Sequence, residues 1–439
     1  MVARSHKSMP SPDSPLPPTS DSLLLGHECE PQRRKIGFHQ QPRPEFIAHN
    51  PILYDGPHLL TCAPTGEGKG RCCAIPTLLD YPGQVVAIDV KGELYNCTHR
   101  RRREMGQQVI RLDPFSVIDK HTDGLNPLDM FQLKSADIDT DSQMLASMLA
   151  EGNKFGRDPF WDNSAGGLNS GVINYLMTQK PPEMQNLNEM RRLLNNDDVI
   201  TNIAILLDTE GKKMRELAQQ ELASFLQLSE RDTRPGVLAT AQAYTKTLNS
   251  ERVAKMLQQS SFSLQDFADG KPMTIYFVIP PERVESHKAL PRIVLAALFS
   301  AVFSRNKIPN PRTLFLIDEA GNLGEFPTMK AAMTLARGFG VRCWTFWQDI
   351  QQLTASYPNC WETIINNCGA LQLFGLNTQL MAKRWADVLG CSTDTLLSLK
   401  SHEQLLQLRG RGELRCERLD YLTDPRYEGQ FDPNRFYSR

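Results

Sequence analysis

The sequence predicts an α/β fold: a parallel sheet covered by helices and interrupted by a mainly helical insertion. Three observations predict it. From residue 58 onward, short apolar runs alternate with helical stretches of 10 to 15 residues, the pattern of strands buried on both faces of a parallel sheet. A glycine-rich loop carrying a lysine separates the first such run from a helix. Farther on, an apolar strand ends in two adjacent carboxylates.

The elements follow in chain order. Residues 1–22 hold Pro10, Pro12, Pro15, Pro17 and Pro18 among serines and read as a flexible leader without the apolar core of a signal peptide. His58 to Cys62 and Val85 to Asp89 read as buried strands, and Thr274 to Ile279, Thr313 to Asp318, Val341 to Gln348 and Ala370 to Gly375 repeat the pattern. The clearest helices are Pro291 to Ser304, Phe326 to Arg337 and Leu380 to Leu389. Residues 136–257 are rich in helix formers, as in Met214 to Leu228, and have few β-branched runs. Strands stand on both sides of this stretch, so it is expected to interrupt one discontinuous nucleotide-binding domain, residues 23–135 and 258–439. The polar end of the chain has room for a hairpin around Gly410 to Leu419.

Composition narrows the function. The 439 residues carry 49 Lys and Arg against 50 Asp and Glu, so the chain as a whole attracts no polyanion and any such site must be local. Its longest strongly apolar run, Ile293 to Phe303, is 11 residues between Arg292 and Arg305, short of the roughly 20 that cross a bilayer. The 10 cysteines include Cys62 and Cys343 inside apolar runs and suit packed, reduced thiols. His27 with Cys29 is isolated and supplies no zinc ligand set.

The loop is Ala63-Pro64-Thr65-Gly66-Glu67-Gly68-Lys69-Gly70. In a phosphate-binding loop, glycines let backbone N–H groups turn inward around a β-phosphate, the lysine reaches the outer phosphates, and the helix N-terminus adds its positive end. Thr65, Gly66, Glu67, Gly68, Lys69, Gly70 and Arg71 are therefore the expected nucleotide-binding set. Two positions depart from the common pattern: Ala63 replaces the first glycine, and Gly70 replaces the hydroxyl residue that ligates Mg²⁺. Thr313-Leu-Phe-Leu-Ile-Asp318-Glu319 complements the loop. Asp318 is the expected Mg²⁺ carboxylate, and Glu319 the base that orients and deprotonates the attacking water. Val341 to Asp349 ends in Gln348, which either faces the γ-phosphate or caps the helix beginning near Asp349. Arg337, at a turn placed near the rim of the crevice, is either a surface residue or a guanidinium reaching a neighbouring subunit's nucleotide.

With these residues in place the sequence resembles the type IV secretion coupling proteins, the TraG/TraD-like ATPases of conjugation machines. The resemblance rests on Ala63 to Gly70, Val86-Ala-Ile-Asp89-Val-Lys91-Gly92-Glu93-Leu94, Leu125-Asn126-Pro127-Leu128-Asp129 and Asp158-Pro-Phe-Trp161-Asp162. It continues in Leu316-Ile-Asp318-Glu319, Ala336-Arg337-Gly338 and Gln348-Asp349-Ile350-Gln351-Gln352-Leu353. It implies a RecA-like P-loop domain with an inserted all-α domain, binding of ATP and Mg²⁺, and hexamers with a central channel. It also implies ATP-driven delivery of single-stranded DNA bound to a relaxase, or of protein. Glycine after the lysine is common in that family. Gln348 becomes a γ-phosphate sensor and Arg337 a finger across the subunit interface. Asp89 and Lys91 have either a nucleotide-site role or form a strand-capping ion pair. Relatives generally begin with a two-helix membrane anchor. Its absence here leads to the expectation of work at the cytoplasmic face of the inner membrane, through type IV secretion inner-membrane components or a separate anchor subunit.

The basic runs Arg33-Arg34-Lys35 and His99-Arg100-Arg101-Arg102-Arg103 read either as solvated helix ends or as DNA or membrane contacts multiplied by a ring. Two other functions stay open beside the secretion motor: a cytosolic DNA pump of the FtsK/HerA sort, and a non-catalytic platform docking substrates through the helical insertion.

Overall fold

A computed structural model describes residues 21–29, 50–150, 158–284 and 286–437. Eleven strands form one sheet: β1 (Leu23–Glu28), β2 (Pro51–Tyr54), β3 (His58–Cys62), β4 (Val85–Asp89), β5 (Gln108–Leu112), β6 (Met273–Val278), β7 (Thr313–Ile317), β8 (Val341–Trp347), β9 (Cys368–Leu373), β10 (Glu403–Leu408) and β11 (Gly412–Glu417). Their order is β2-β1-β11-β10-β9-β3-β8-β7-β4-β6-β5. From β9 to β5 every pairing is parallel, and from β2 to β9 every pairing is antiparallel.

All six expected strands are present, the hairpin forms from β10 and β11, and β1, β2 and β5 are three further strands. β5 escapes a reading by apolar runs because Gln108 and Arg111 interrupt it. The Arg111 side chain lies over the Tyr95 ring at 5.0 Å and donates to Asp119 at 2.8 Å. β10, Glu403-Gln-Leu-Leu-Gln-Leu408, looks too polar for a sheet interior, yet Gln404 is fully buried. A chain of polar contacts explains it. The Thr61 hydroxyl donates to Gln372 at 2.6 Å, Gln372 donates to Gln404 at 2.5 Å, and Gln404 donates to the Leu25 carbonyl at 2.7 Å. Trp344 Nε1 donates into the same chain at Thr61, 2.7 Å away. Strands β8, β3, β9, β10 and β1 are thus tied through satisfied buried polar groups, which hold the antiparallel extension against the parallel half.

Helices α1 (Ile75–Asp80) and α2 (Glu93–Glu104) follow β3 and β4. Between β5 and β6 the chain is helical, with α3 (Ile138–Ala150), α4 (Pro159–Gln179) and further helices to Glu251–Met256. α4 is the hub of this inserted part, packing on α3 and on helices Glu216–Gln227 and Arg234–Tyr244. Asp158 caps it, accepting from Phe160 N at 3.0 Å, so the Asp158–Asp162 motif is a helix start inside the insertion. The Leu125–Asp129 motif stands at the insertion's entrance, where Asn126 caps the turn Pro127–Gln132 by accepting from Leu128 N at 3.1 Å. Asn126 donates to the Gln185 carbonyl at 2.8 Å, and its backbone N–H donates to Ser260 at 2.8 Å. The apolar run 293–303 lies in helix Ala289–Phe303, almost wholly buried in the core. Among the described residues no helix is long and apolar enough to cross a membrane.

Arg33 to Lys35, like residues 1–20 of the leader, lie outside the described residues. The arginines of α2 are chiefly structural, not a free basic face. Arg102 is completely buried, donating to Gly83 O at 2.7 Å and Thr274 Oγ1 at 2.8 Å and also to Tyr81 O. Arg100 pairs with Asp432 at 2.8 Å and Glu104 at 2.7 Å, which leaves Arg103 as the exposed member. The terminal segment packs back on α1 and α2, where Tyr427 donates to Asp80 at 2.7 Å and Asn434 to Glu93 at 2.7 Å.

Candidate active site

The carboxyl ends of β3, β8, β7 and β4 lie side by side, because parallel strands in this order deliver their following loops to one edge. After β3 the chain turns through Gly66 (φ +87°) and Gly68 (φ +88°), left-handed conformations that glycine adopts without a Cβ clash. Thr65 and Gly66 are exposed at the loop's apex. Lys69 is buried and folds back over the loop, donating through Nζ to Ala63 O at 2.9 Å and Pro64 O at 3.4 Å. The nearest atoms to a Cβ at Gly70 would be those of the Glu93 carboxylate, at 3.6 Å and beyond, an ordinary contact distance. Arg71 turns its guanidinium onto Asp420, Nε to Oδ1 at 2.6 Å, so its side chain serves the terminal segment and only its backbone stays with the loop.

β7 delivers Asp318 and Glu319. Glu319 stands in left-handed backbone (φ 50°, ψ 47°), a conformation that costs a non-glycine residue energy and concentrates at functional sites. Asp318 accepts from Glu319 N at 3.0 Å. Burial first, then the neighbouring Glu319 charge, push the Asp318 carboxyl up to about 7, with Lys69 opposing and Asp89 adding to the rise. Such a carboxyl gives up its proton readily once a cation arrives.

β8 lies between β3 and β7 and delivers Gln348. Its Nε2 donates to Glu319 Oε2 at 2.7 Å, and Glu319 Oε1 stands 4.0 Å from Lys69 Nζ. Helix Ile350–Ser356 is capped by Asp349, which accepts from Gln351 N at 3.2 Å. Of the two roles open to Gln348, helix cap is therefore excluded. Lys69, Asp318, Glu319 and Gln348 thus converge from three adjacent strand ends.

Asp89, at the end of β4, accepts from Tyr95 N at 2.9 Å and Lys91 N at 3.3 Å. Burial raises its carboxyl to about 6. It holds the turn into α2, while the Lys91 ammonium lies over the Phe436 ring at 5.8 Å. The alternative of an Asp89–Lys91 ion pair is not what forms.

Arg337 requires a correction. Helix Pro327–Leu335 runs from the carboxyl edge back to the amino edge, so the turn Ala336–Phe339 enters β8 at its beginning. Arg337 lies exposed there, close enough to His58, at the start of β3, to help hold that imidazole down at about 4, behind burial and Arg342. It is at the far end of the sheet from its own phosphate loop, not on the crevice rim. Among the described residues its guanidinium makes no hydrogen bond.

Three further residues stand beside the loop without belonging to any motif. Arg418, just past β11, donates through Nη1 to the Glu67 carbonyl at 2.7 Å and stacks over Phe374 at 4.7 Å. Asn377 donates to Glu67 Oε1 at 3.1 Å. Gly375 (φ +67°) lies so close that a Cβ would fall 2.3 Å from Glu67 Cγ. No local pattern marks them, since they reach Glu67 from about 310 and 350 positions away along the chain.

The family model for type IV secretory system conjugative DNA transfer matches residues 30–396. The chain belongs to that family. Among its relatives is the conjugal transfer protein TraG of Escherichia coli, 24% identical over 397 residues, an alignment covering 86% of this chain and 60% of TraG. The chain therefore spans about three fifths of that relative's length. Among solved structures, the bacterial conjugative coupling protein TrwBdeltaN70 superposes with a TM-score of 0.66 at 15% identity, covering 90% of this chain and 91% of that one. Plasmid coupling protein TrwB in complex with ADP and Mg²⁺ superposes at 0.64 and 15% identity, covering 86% of each chain. At these identities the likeness establishes the fold of this family member, a RecA-like P-loop domain with an inserted all-α domain.

Proposed function

We propose that this chain is an ATP-hydrolysing motor that moves DNA or a nucleoprotein into a type IV secretion channel. The observation carrying the proposal is the convergence at three strand ends, with Glu319 between Gln348 at 2.7 Å and Lys69 at 4.0 Å. Family membership and the ADP and Mg²⁺ complex of TrwB support the choice of nucleotide, of metal and of DNA as cargo.

The residues divide the work. The backbone N–H groups around Gly66 to Gly70 and the N-terminus of the following helix receive the phosphates, and Lys69 swings from Ala63 O to the outer phosphate oxygens. Asp318 would hold Mg²⁺, and its raised carboxyl fits that task. Mg²⁺ needs only one or two protein carboxylates besides water and phosphate, so Gly70 costs it one ligand that water can supply. When bound, the ion neutralises charge on the β- and γ-phosphate oxygens. Glu319 orients a water and accepts its proton. Gln348, hydrogen-bonded to Glu319, is placed to exchange that partner for the water or the γ-phosphate and so to report occupancy to the helix behind it. Arg337 is assigned to a neighbouring copy's nucleotide in a ring, since it lies far from its own. In this reading the motor is a homo-hexamer acting on relaxase-bound single-stranded DNA at the membrane, beside inner-membrane secretion components or an anchor subunit.

The test is DNA-stimulated ATP hydrolysis by the assembled protein. Glu319→Gln is expected to lower kcat by about 100-fold or more while nucleotide still binds, and Lys69→Ala to lose binding and hydrolysis together. A confirmed ring that neither binds nor hydrolyses ATP would end the motor reading.

A further inference from the structure

We infer that Arg418 is a positioning residue of the phosphate loop, locking the Glu67–Gly68 peptide in the orientation that aims the Gly68 N–H inward. The inference rests on the nucleotide-binding reading of that loop. The Glu67–Gly68 peptide is trans, so its C=O and N–H point in opposite directions across one plane. Arg418 Nη1 holds the Glu67 carbonyl at 2.7 Å. The N–H of the same peptide is thereby directed away from Arg418, and among the described residues it makes no hydrogen bond.

The loop's own covalent structure does not enforce this orientation. Gly68 sits at φ +88° and, lacking a Cβ, adopts the opposite sign of φ about as readily. A flipped peptide would present a carbonyl oxygen to the phosphate where a donor is needed. The guanidinium that prevents the flip is itself fixed. It stacks over Phe374 at 4.7 Å, and Glu67 is held on its other sides by Asn377 at 3.1 Å and by the close approach of Gly375. Phe374, Gly375 and Asn377 follow β9 and Arg418 follows β11, so the antiparallel part of the sheet determines whether the loop is ready for an anion.

The experiment measures binding of ADP and of inorganic tripolyphosphate to the full chain, with Arg415→Ala as control. Arg415 lies in β11, three residues before Arg418, and pairs with Glu403 of β10 at 3.1 Å. Arg418→Ala is expected to weaken both ligands about tenfold, and millimolar guanidinium ion is expected to restore part of the loss. Arg415→Ala should leave both affinities unchanged. Unchanged affinity in Arg418→Ala, an equal loss in Arg415→Ala, or a loss of ADP binding with tripolyphosphate binding intact would each overturn the inference. Should Arg418→Ala fail to fold, Arg418→Lys decides, because it keeps the charge and loses the stacked fork: weakening of both ligands supports the lock and wild-type affinity overturns it. Lys69→Ala separates the two levels, since its failure to weaken tripolyphosphate would refute the phosphate-loop reading itself.

Discussion

Asp318 joins burial to charge at a single side chain. Its carboxyl, raised to about 7 against an ordinary value near 4, binds a proton in the folded chain over a range where the unfolded chain does not. The unfolded state thus holds fewer protons between about pH 4 and 7, and the stability contributed by this group is lost as pH rises through that window. The bound divalent ion reverses the preference, because it requires the carboxylate. We expect Mg²⁺–nucleotide affinity to rise as pH increases toward about 7 and then level off. Calorimetry in two buffers of different ionisation enthalpy should detect proton release at pH 6 and little at pH 8. Equal heats in both buffers at pH 6 would refute the raised Asp318 carboxyl.

At the scale of elements, what holds the crevice in shape is buried polar bonding between strands and helices that sequence patterns treat as separate. The chain Thr61–Gln372–Gln404–Leu25 O crosses four strands, so removing one member strands the others without water. Gln372→Leu is expected to destabilise the protein by about 2–3 kcal/mol, measurable as a lowered denaturant midpoint, although leucine suits a buried strand. In α2 the four consecutive arginines should separate sharply. Arg102→Met leaves buried carbonyls unpaired and should cost about 3 kcal/mol, whereas Arg103→Met should stay within about 0.5 kcal/mol and leave any DNA binding nearly unchanged. Equal effects in unfolding titrations would contradict the buried position of Arg102.

For the whole molecule, the near balance of acidic and basic residues means that DNA contact depends on local geometry and on assembly. If the ring reading is right, Arg337 acts only between copies. Arg337→Ala is then expected to keep nucleotide affinity and lose hydrolysis by about 1000-fold, and rings mixed with the Glu319→Gln variant should regain part of the rate by pairing intact halves of each site. A loss of affinity in Arg337→Ala, or no rescue on mixing, would refute the cross-subunit role. DNA binding by the assembled protein should fall steeply between about 50 and 200 mM salt.

Much of the molecule is legible in its amino-acid sequence. Six strands of the parallel region, the helical insertion, the loop at Ala63 to Gly70 and the Asp318-Glu319 pair all have local signatures, because burial on both faces of a strand and close backbone approach to a phosphate dictate residue types at neighbouring positions. The strand that delivers Gln348 is legible too, but its partner is not: the contact with Glu319 depends on β8 lying between β3 and β7, and sheet order is not written in either strand. The same limit misplaces Arg337, whose distance from the crevice follows from the direction in which helix Pro327–Leu335 returns across the sheet. It also hides Arg418, Asn377 and Gly375, and it lets the arginines of α2 pass for a surface run when one of them fills the core. The sequence by itself determined which chemistry the chain can hold, since that chemistry is carried by short segments. Only the tertiary structure decided which groups meet, because contacts between strand ends hundreds of residues apart are set by sheet order and packing.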